Sequence, residues 1–66
     1  MTICYDKLWM KMKEKNIRKL EMIKLSGITT NQMANMGKNS EVRLGVLIKV
    51  AAVLDCRIDD IVDYWV

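Results

Sequence analysis

The apolar and polar positions between residues 18 and 36 predict two short helices separated by a sharp turn. Gly27 ends the first helix, because glycine adopts the left-handed backbone conformation of a helix end at little steric cost. Two residues later, the hydroxyl of Thr29 can accept from the free backbone N–H groups of a second helix over residues 29–36. Ile28 lies between them and is expected to point inward. Two helices joined this closely cross at a steep angle, as in a helix-turn-helix.

The second of these helices has one apolar face and one face of uncharged polar side chains. Met33 and Met36 lie three residues apart and share a side with Ile28. On the other side or its edges lie four hydrogen-bonding residues: Thr30, Asn31, Gln32 and Asn35. Such side chains match the donors and acceptors of base edges, and a short exposed helix fits the major groove of DNA. The alternative is an ordinary solvated helix face, and these residues alone leave both interpretations open.

The start of the chain predicts a first helix preceded by an extended segment. Asp6 is expected to cap this helix, which runs to about Lys15. Residues 1–4 and 62–66 are rich in strand-favouring types, and the two ends could pair as a small ribbon, within one chain or between two. The apolar side chains that recur at helical spacing and should face the core are Tyr5, Leu8, Trp9 and Met12.

Two more helices are predicted after a loop over residues 37–41. A fourth helix spans about residues 43–54, and a fifth spans about residues 59–63, where Ile58 and Ile61 would close the core. Together these elements predict a compact all-α fold of five helices, to which the ribbon would add two short strands. The expected inward side chains of the fourth helix are Leu44, Leu47, Val50, Ala51 and Leu54.

Length and composition narrow the fold class and the location. The 66 residues, 52% of them apolar, allow one domain with a modest core, and the absence of proline suits short packed helices. No apolar run approaches the ~20 residues that span a bilayer, and the N-terminus lacks a basic lead before an apolar signal core. A cytoplasmic protein without a membrane partner is expected, with Cys4 and Cys56 as free thiols.

The titratable residues do not support catalysis or a cofactor. Histidine is absent, and two distant cysteines do not complete a zinc site. No serine or cysteine has a base partner visible in the sequence, and there is no glycine-rich phosphate loop. The C-terminal aspartates fall where turns and helix starts are predicted. We therefore expect no enzyme, no cofactor, no metal site and no small-molecule substrate.

Charge is distributed unevenly along the chain, which carries a net +3. Residues 1–25 hold seven basic and three acidic side chains, and residues 26–50 hold three and one. Residues 51–66 hold one basic and four acidic side chains. A phosphate polymer would be attracted to the helix-turn-helix half and repelled by the C-terminal end. The alternative is the scatter of lysines that any small soluble domain carries.

Two spaced patterns run through most of the chain. The first is Lys19-x-x-Met22-x-x-x-x-Gly27-Ile28-Thr29-x-x-x-Met33-x-x-Met36. The second is Leu44-x-x-Leu47-x-x-Val50-Ala51-x-x-Leu54-Asp55-Cys56, followed by Ile58-Asp59-x-Ile61-Val62. In this order and spacing they resemble the Cro/repressor-type (XRE, lambda-repressor-like) helix-turn-helix family, over about residues 8–62. The ends look like a small single-domain bacterial and phage branch of that family.

The resemblance implies sequence-specific binding to double-stranded DNA by the helix over residues 29–36, which would enter the major groove by its N-terminal end. Base contacts are implied for Thr30, Asn31 and Asn35, with Gln32 as a marginal fourth. Family members commonly carry glutamine at position 19, and lysine there would make the phosphate contact more salt-sensitive. The residues that the resemblance implies for phosphate contacts are Arg18, Lys19, Thr29, Lys38, Asn39, Ser40 and Arg43.

The expected function is a transcriptional regulator, in particular a repressor, that binds paired half-sites as a homodimer. The alternative is a protein-interaction module, such as an antitoxin or anti-repressor, that uses its apolar surface on another protein. The C-terminal end is the favoured dimer contact. By helical phase, the apolar side chains that look too exposed for a monomer are Leu20, Val46, Ile48, Val53, Trp65 and Val66.

Overall fold

The computed structural model describes residues 2–66, and this part of the chain forms four α-helices and one small sheet. Two strands, β1 (Thr2–Cys4) and β2 (Asp63–Trp65), pair antiparallel with Ile3 opposite Tyr64. The predicted ribbon of the two ends is confirmed within one chain, although Met1 lies outside the described residues. The helices are α1 (Asp6–Glu14), α2 (Lys19–Ser26), α3 (Thr30–Gly37) and α4 (Leu44–Val53).

The predicted fifth helix over residues 59–63 is wrong, because a single 3-10 turn spans Ile58–Asp60. A carboxylate oxygen of Asp60 accepts from the backbone N–H of Arg57 at 3.0 Å and caps this turn. Asp63 pairs with Cys4 in the sheet, so the backbone is already extended three residues after the turn. Strand pairing therefore leaves room for one helical turn and no more.

The core collects apolar side chains from all four helices. Helix α2 packs against both α3 and α4, which places Met22 and Met36 at full burial between them. Within residues 2–66, no helix is both long and apolar enough to cross a membrane. The buried apolar side chains of the described chain are Tyr5, Leu8, Met12, Met22, Ile28, Met33, Met36, Val46, Val50, Ala51, Leu54 and Ile61.

Helix α4 is rotated relative to the prediction. Leu44, predicted to face inward, is 63% exposed, and Val46, predicted to be exposed, is only 6% exposed. Residues 44–54 are apolar apart from Gly45 and Lys49, so hydrophobic periodicity does not set the phase of this helix. Packing against α2 sets it instead. The side chains that this segment buries are Val46, Val50, Ala51 and Leu54, while Leu47 is half-buried.

Helix α1 begins one residue earlier than a cap at Asp6 requires. Tyr5 occupies the cap position and Asp6 is the first helical residue, so the predicted cap is wrong. The Asp6 carboxylate still lies at the positive end of the helix dipole. Tyr5, Leu8 and Met12 are buried as predicted, whereas Trp9 is half-buried at the edge of the core.

Tyr5 ties the start of α1 to the loop that follows α3. Its phenol donates a hydrogen bond to the carbonyl oxygen of Ser40 at 2.9 Å, and its backbone N–H donates to Oδ1 of Asn39 at 3.2 Å. Burial raises the pKa of the Tyr5 phenol above its ordinary value, and the negative charge of Glu41 raises it further. The neutral phenol is therefore the form that the folded state prefers.

We expect Tyr5→Phe to cost about 1 kcal/mol of stability near neutral pH, the usual net contribution of one hydrogen bond. Because the folded-state pKa lies above the unfolded value of about 10, the contribution is complete below pH ~10 and is lost as pH rises through the folded-state pKa. Denaturant unfolding at several pH values measures the difference between the two proteins. Tyr64→Phe, at an exposed position, is the control. A Tyr5→Phe deficit that stays constant at alkaline pH would contradict this expectation.

The turn between α2 and α3 has the predicted chemistry. Gly27 adopts a left-handed conformation (φ 78°), and Ile28 is only 4% exposed. The Thr29 hydroxyl accepts from the backbone N–H of Gln32 at 3.1 Å. Glycine, inward isoleucine and capping threonine are all confirmed, and α3 runs through Gly37, one residue beyond the predicted end.

Candidate nucleic-acid interface

Helix α3 presents a polar face to solvent from a firmly held position. Thr30, Asn31 and Asn35 are all exposed. On the opposite side Met33 is 4% exposed and Met36 is fully buried. The two methionines fix the rotation of the helix about its axis, so the outward direction of the three polar side chains is determined by the core.

Gln32 has a structural role that we did not predict, although the spacing Thr29-x-x-Gln32 is the sequence signature of a capping box. Its Oε1 accepts from the backbone N–H of Thr29 at 2.9 Å, while its own N–H donates to the Thr29 hydroxyl. This reciprocal pair is a capping box, which satisfies two backbone donors at the helix start. Gln32 is half-buried, and only its amide NH₂ is left to act as a donor toward a ligand.

The loop after α3 uses its own backbone donors to end the helix. The N–H groups of Lys38, Asn39 and Ser40 bond to carbonyl oxygens of residues 34–36 at 2.9–3.2 Å. Asn39 has a left-handed backbone (φ 57°), and its side-chain oxygen is held by Tyr5. Any ligand contact from residues 38–40 therefore has to come mainly from their exposed side-chain groups.

An open polar groove connects α3 with the start of α4. Gln32 and Asn35 line one wall, and Glu41, Val42 and Arg43 line the other. The fold thus brings Arg43, which follows Asn35 by eight residues in the sequence, alongside the polar face of α3. The predicted base-facing and phosphate-facing side chains lie on adjacent surfaces here.

Lys19, at the start of α2, lies against an aromatic ring. Its Nζ is 4.7 Å from the centroid of the Trp9 ring, within the range of a cation–π interaction. Trp9, Lys13, Arg18 and Lys19 line one open groove that ends at Gly37. The fold thereby brings Arg18 and Lys19, which were predicted to contact phosphate, together with Trp9 and Lys13, which were not.

A protein-family model for the Cro/C1-type helix-turn-helix DNA-binding domain matches residues 7–65. The chain belongs to this family. The crystal structure of the transcriptional regulator VanUg (Form II) is similar, with a TM-score of 0.89 and 31% sequence identity over 94% of this chain and 83% of that chain. Comparison with curated proteins gives no significant match.

In this Cro/C1-type domain the lysines of α1 divide between two sides. Lys7 Nζ lies 3.8 Å from a carboxylate oxygen of Asp63 and donates to a backbone carbonyl of the C-terminal segment. Burial raises the pKa of the Cys56 thiol, and Lys11 and Lys15 are near enough to oppose that rise. Part of the positive charge of residues 1–25 is therefore balanced locally by the acidic end.

Trp9 and Lys13 are the members of this surface that sequence reasoning missed. Their four-residue spacing places them on one side of α1, which is a signal that the sequence does contain. That they line a groove with the start of α2 and the end of α3 depends on how the helices cross. The sequence pattern of a single helix does not predict the angle at which it crosses its neighbours.

Proposed function

We propose that this domain binds double-stranded DNA sequence-specifically and acts as a transcriptional repressor. The observation that supports it best is the set of exposed polar side chains on α3, backed by two buried methionines. A rigid helix end of this kind enters the major groove and presents amide groups to base edges. Occupying an operator is sufficient to block transcription, so repression needs no additional catalytic or ligand site.

Base reading and backbone binding fall to different residues. Asn31 and Asn35 can each pair bidentately with adenine, and Thr30 adds a hydroxyl. Gln32 contributes at most through its amide NH₂, since its oxygen is engaged in the cap. The residues proposed to bind phosphates around the reading helix are Arg18, Lys19, Thr29, Lys38, Asn39, Ser40 and Arg43.

Titration with random duplex DNA at two salt concentrations tests this proposal. A DNA-binding regulator releases counterions on binding, so its affinity falls steeply as salt rises, by about 0.9 in the log–log slope for each phosphate contacted. A module that binds another protein instead would hardly bind DNA at either salt. Selection of bound fragments from genomic DNA then identifies the operator, and a failure to enrich any sequence would contradict specific recognition.

We also propose that the regulator is a homodimer, with α4 and β2 forming the contact. Leu44, Ile48 and Tyr64 are 63%, 53% and 64% exposed. Leu44 and Ile48 are neighbours on one helix face, and Ile48 shares an apolar cleft with Tyr64. Trp65 and Val66, expected to be exposed, follow Tyr64 in the sequence and are exposed as well. We call the surface of Leu44, Ile48 and Tyr64 the α4 face.

The position of the α4 face suits a second copy of this chain bound to DNA. Residues 41–42 line the groove beside α3 and also a second cleft, which Leu47 and Tyr64 line, so Tyr64 connects the α4 face to the reading side of the molecule. A two-fold axis through the α4 face that runs parallel to the outward direction of α3 would leave both α3 helices facing the same way. The molecule measures 31 × 22 × 17 Å, which is compatible with half-sites spaced ~34 Å apart.

We expect Ile48→Glu to weaken the dimer about ten-fold or more, because it places a charge at the centre of an apolar contact. Size-exclusion chromatography at micromolar concentration would show the wild type near twice 7.7 kDa and the variant shifted toward 7.7 kDa. Met10→Glu, at an exposed methionine of α1, is the matched control and should elute with the wild type. A wild type that elutes as a clean 7.7 kDa species would remove the dimer proposal.

A further inference from the structure

Three helices meet at the ammonium group of Lys19. Its side chain starts from the first residue of α2 and places Nζ 4.7 Å from the ring centroid of Trp9 on α1. At the end of α3, a Cβ added at Gly37 would lie 3.8 Å from the same Nζ. The ammonium therefore lies between an aromatic face and the last turn of α3, while Lys19 as a residue remains exposed.

Both neighbours attract a positive charge. The face of an indole ring is the strongest cation–π partner among side chains. The C-terminal end of a helix carries a partial negative charge from the aligned peptide dipoles. Glycine at position 37 has no side chain of its own between that helix end and Lys19 Nζ. A flexible lysine is thus restricted to one location without being removed from solvent.

The groove around this lysine is cationic. Lys13, Arg18 and Lys19 line it together with Trp9, and the other lining residues of this described groove are uncharged. The other lysines in and next to α1 lie on a different side of the molecule. Lys7 is close to Asp63, and Lys11 and Lys15 are close to Cys56, in the acidic C-terminal segment. Three cations line this groove and no carboxylate is among its lining residues, so the surface favours an anion.

We propose that Trp9 is a positioning residue for Lys19, and that Lys13, Arg18 and Lys19 together bind neighbouring backbone phosphates of the DNA duplex. This rests on the proposed DNA binding and extends it, adding Lys13 as a contact and Trp9 as the group that holds the contact in place. The groove flanks the exposed polar face of α3 at the opposite end from Thr29, so its ligand is the sugar–phosphate backbone and not a base edge.

The phosphate contact is tested by measuring random-duplex affinity against salt for Lys13→Ala. We expect the log–log slope to fall in magnitude by about one and the affinity to fall for all sequences alike. Lys15→Ala is the matched control, because it removes the same charge from the same end of α1 but on the side of Cys56. It should change the slope much less. Equal slopes for the Lys13→Ala variant and the wild type would overturn the three-cation site.

The positioning role is tested by a double-mutant cycle of Trp9→Leu and Lys19→Ala. Trp9→Leu should weaken binding about two- to five-fold, the range expected for one exposed cation–π contact. It should have little effect once Lys19 is alanine, and Trp9→Phe, which keeps an aromatic face, should recover most of the loss. Full additivity of the two changes would overturn the role of Trp9.

A spectroscopic measurement separates positioning from a merely structural role. Trp65→Phe leaves Trp9 as the single tryptophan of the chain. In that background, duplex DNA should shift or quench the Trp9 emission, and the change should be lost with Lys19→Ala. If the wild type binds DNA with a steep salt slope, but the fluorescence change and the coupling between Trp9 and Lys19 are both absent, the inference fails and the proposed function stands. If the wild type itself does not bind duplex DNA, both fail.

Discussion

Asn31→Ala is expected to remove most of the preference of this domain for its operator while leaving its binding to random DNA nearly unchanged. A bidentate asparagine–adenine pair supplies ~1–3 kcal/mol of discrimination, which is roughly five- to 150-fold in relative affinity. Asn31 is exposed on α3, and its replacement by alanine removes no packed group. Competition between the selected operator and random duplex DNA, at one fixed salt concentration, measures the change.

Lys19→Ala is the matched comparison, because it removes a charge instead of a base-reading amide. We expect it to weaken operator and random DNA by similar factors and to reduce the salt slope by about one. The two variants therefore differ in the kind of loss and not only in its size. Uniform, equal losses from both would show that α3 does not read bases through Asn31.

Leu54→Ala should destabilise the fold by ~2–5 kcal/mol, which is the range for deleting a buried leucine side chain. Leu54 is 1% exposed and lies where α4 ends against the core. A domain of this size has a net stability of only ~3–5 kcal/mol. Most of the variant is therefore expected to be unfolded at room temperature, as measured by the far-ultraviolet circular dichroism signal and its denaturant midpoint.

Leu44→Ala is the control from the same helix. The sequence pattern predicted both leucines to face inward, but Leu44 is 63% exposed. We expect its replacement to change the stability of the monomer by no more than ~0.5 kcal/mol. Comparable losses at the two positions would mean that α4 has the phase predicted from the sequence.

Local sequence determined the helix-turn-helix and its outward face. Gly27, Ile28 and Thr29 carry their own conformational preferences, so the turn needs no information from the rest of the chain. The spacing of Met33 and Met36 then decides which side of α3 is buried. For the same reason the strand-favouring ends were recognised, although the pattern did not decide whether they pair within one chain.

Elements whose local pattern is ambiguous were set by tertiary contacts. Helix α4 is apolar nearly all round, so only its packing on α2 distinguishes Leu44 from Val46. The last helix was shortened to one turn because the pairing of Asp63 with Cys4 requires extended backbone. Local preference for helix in residues 59–63 is overridden by the strand pairing of Asp63–Trp65 with Thr2–Cys4.

The composition of the candidate site shows the same division. The sequence by itself identified the polar side chains of α3, because their exposure follows from the periodicity of a single helix. Only the tertiary structure showed that Tyr5 bonds to the side chain of Asn39 and the carbonyl of Ser40, and that Lys19 Nζ lies over the Trp9 ring. These contacts join residues 10–35 positions apart. Helix crossing angles and side-chain burial across the whole core bring such residues together, and no short segment encodes them.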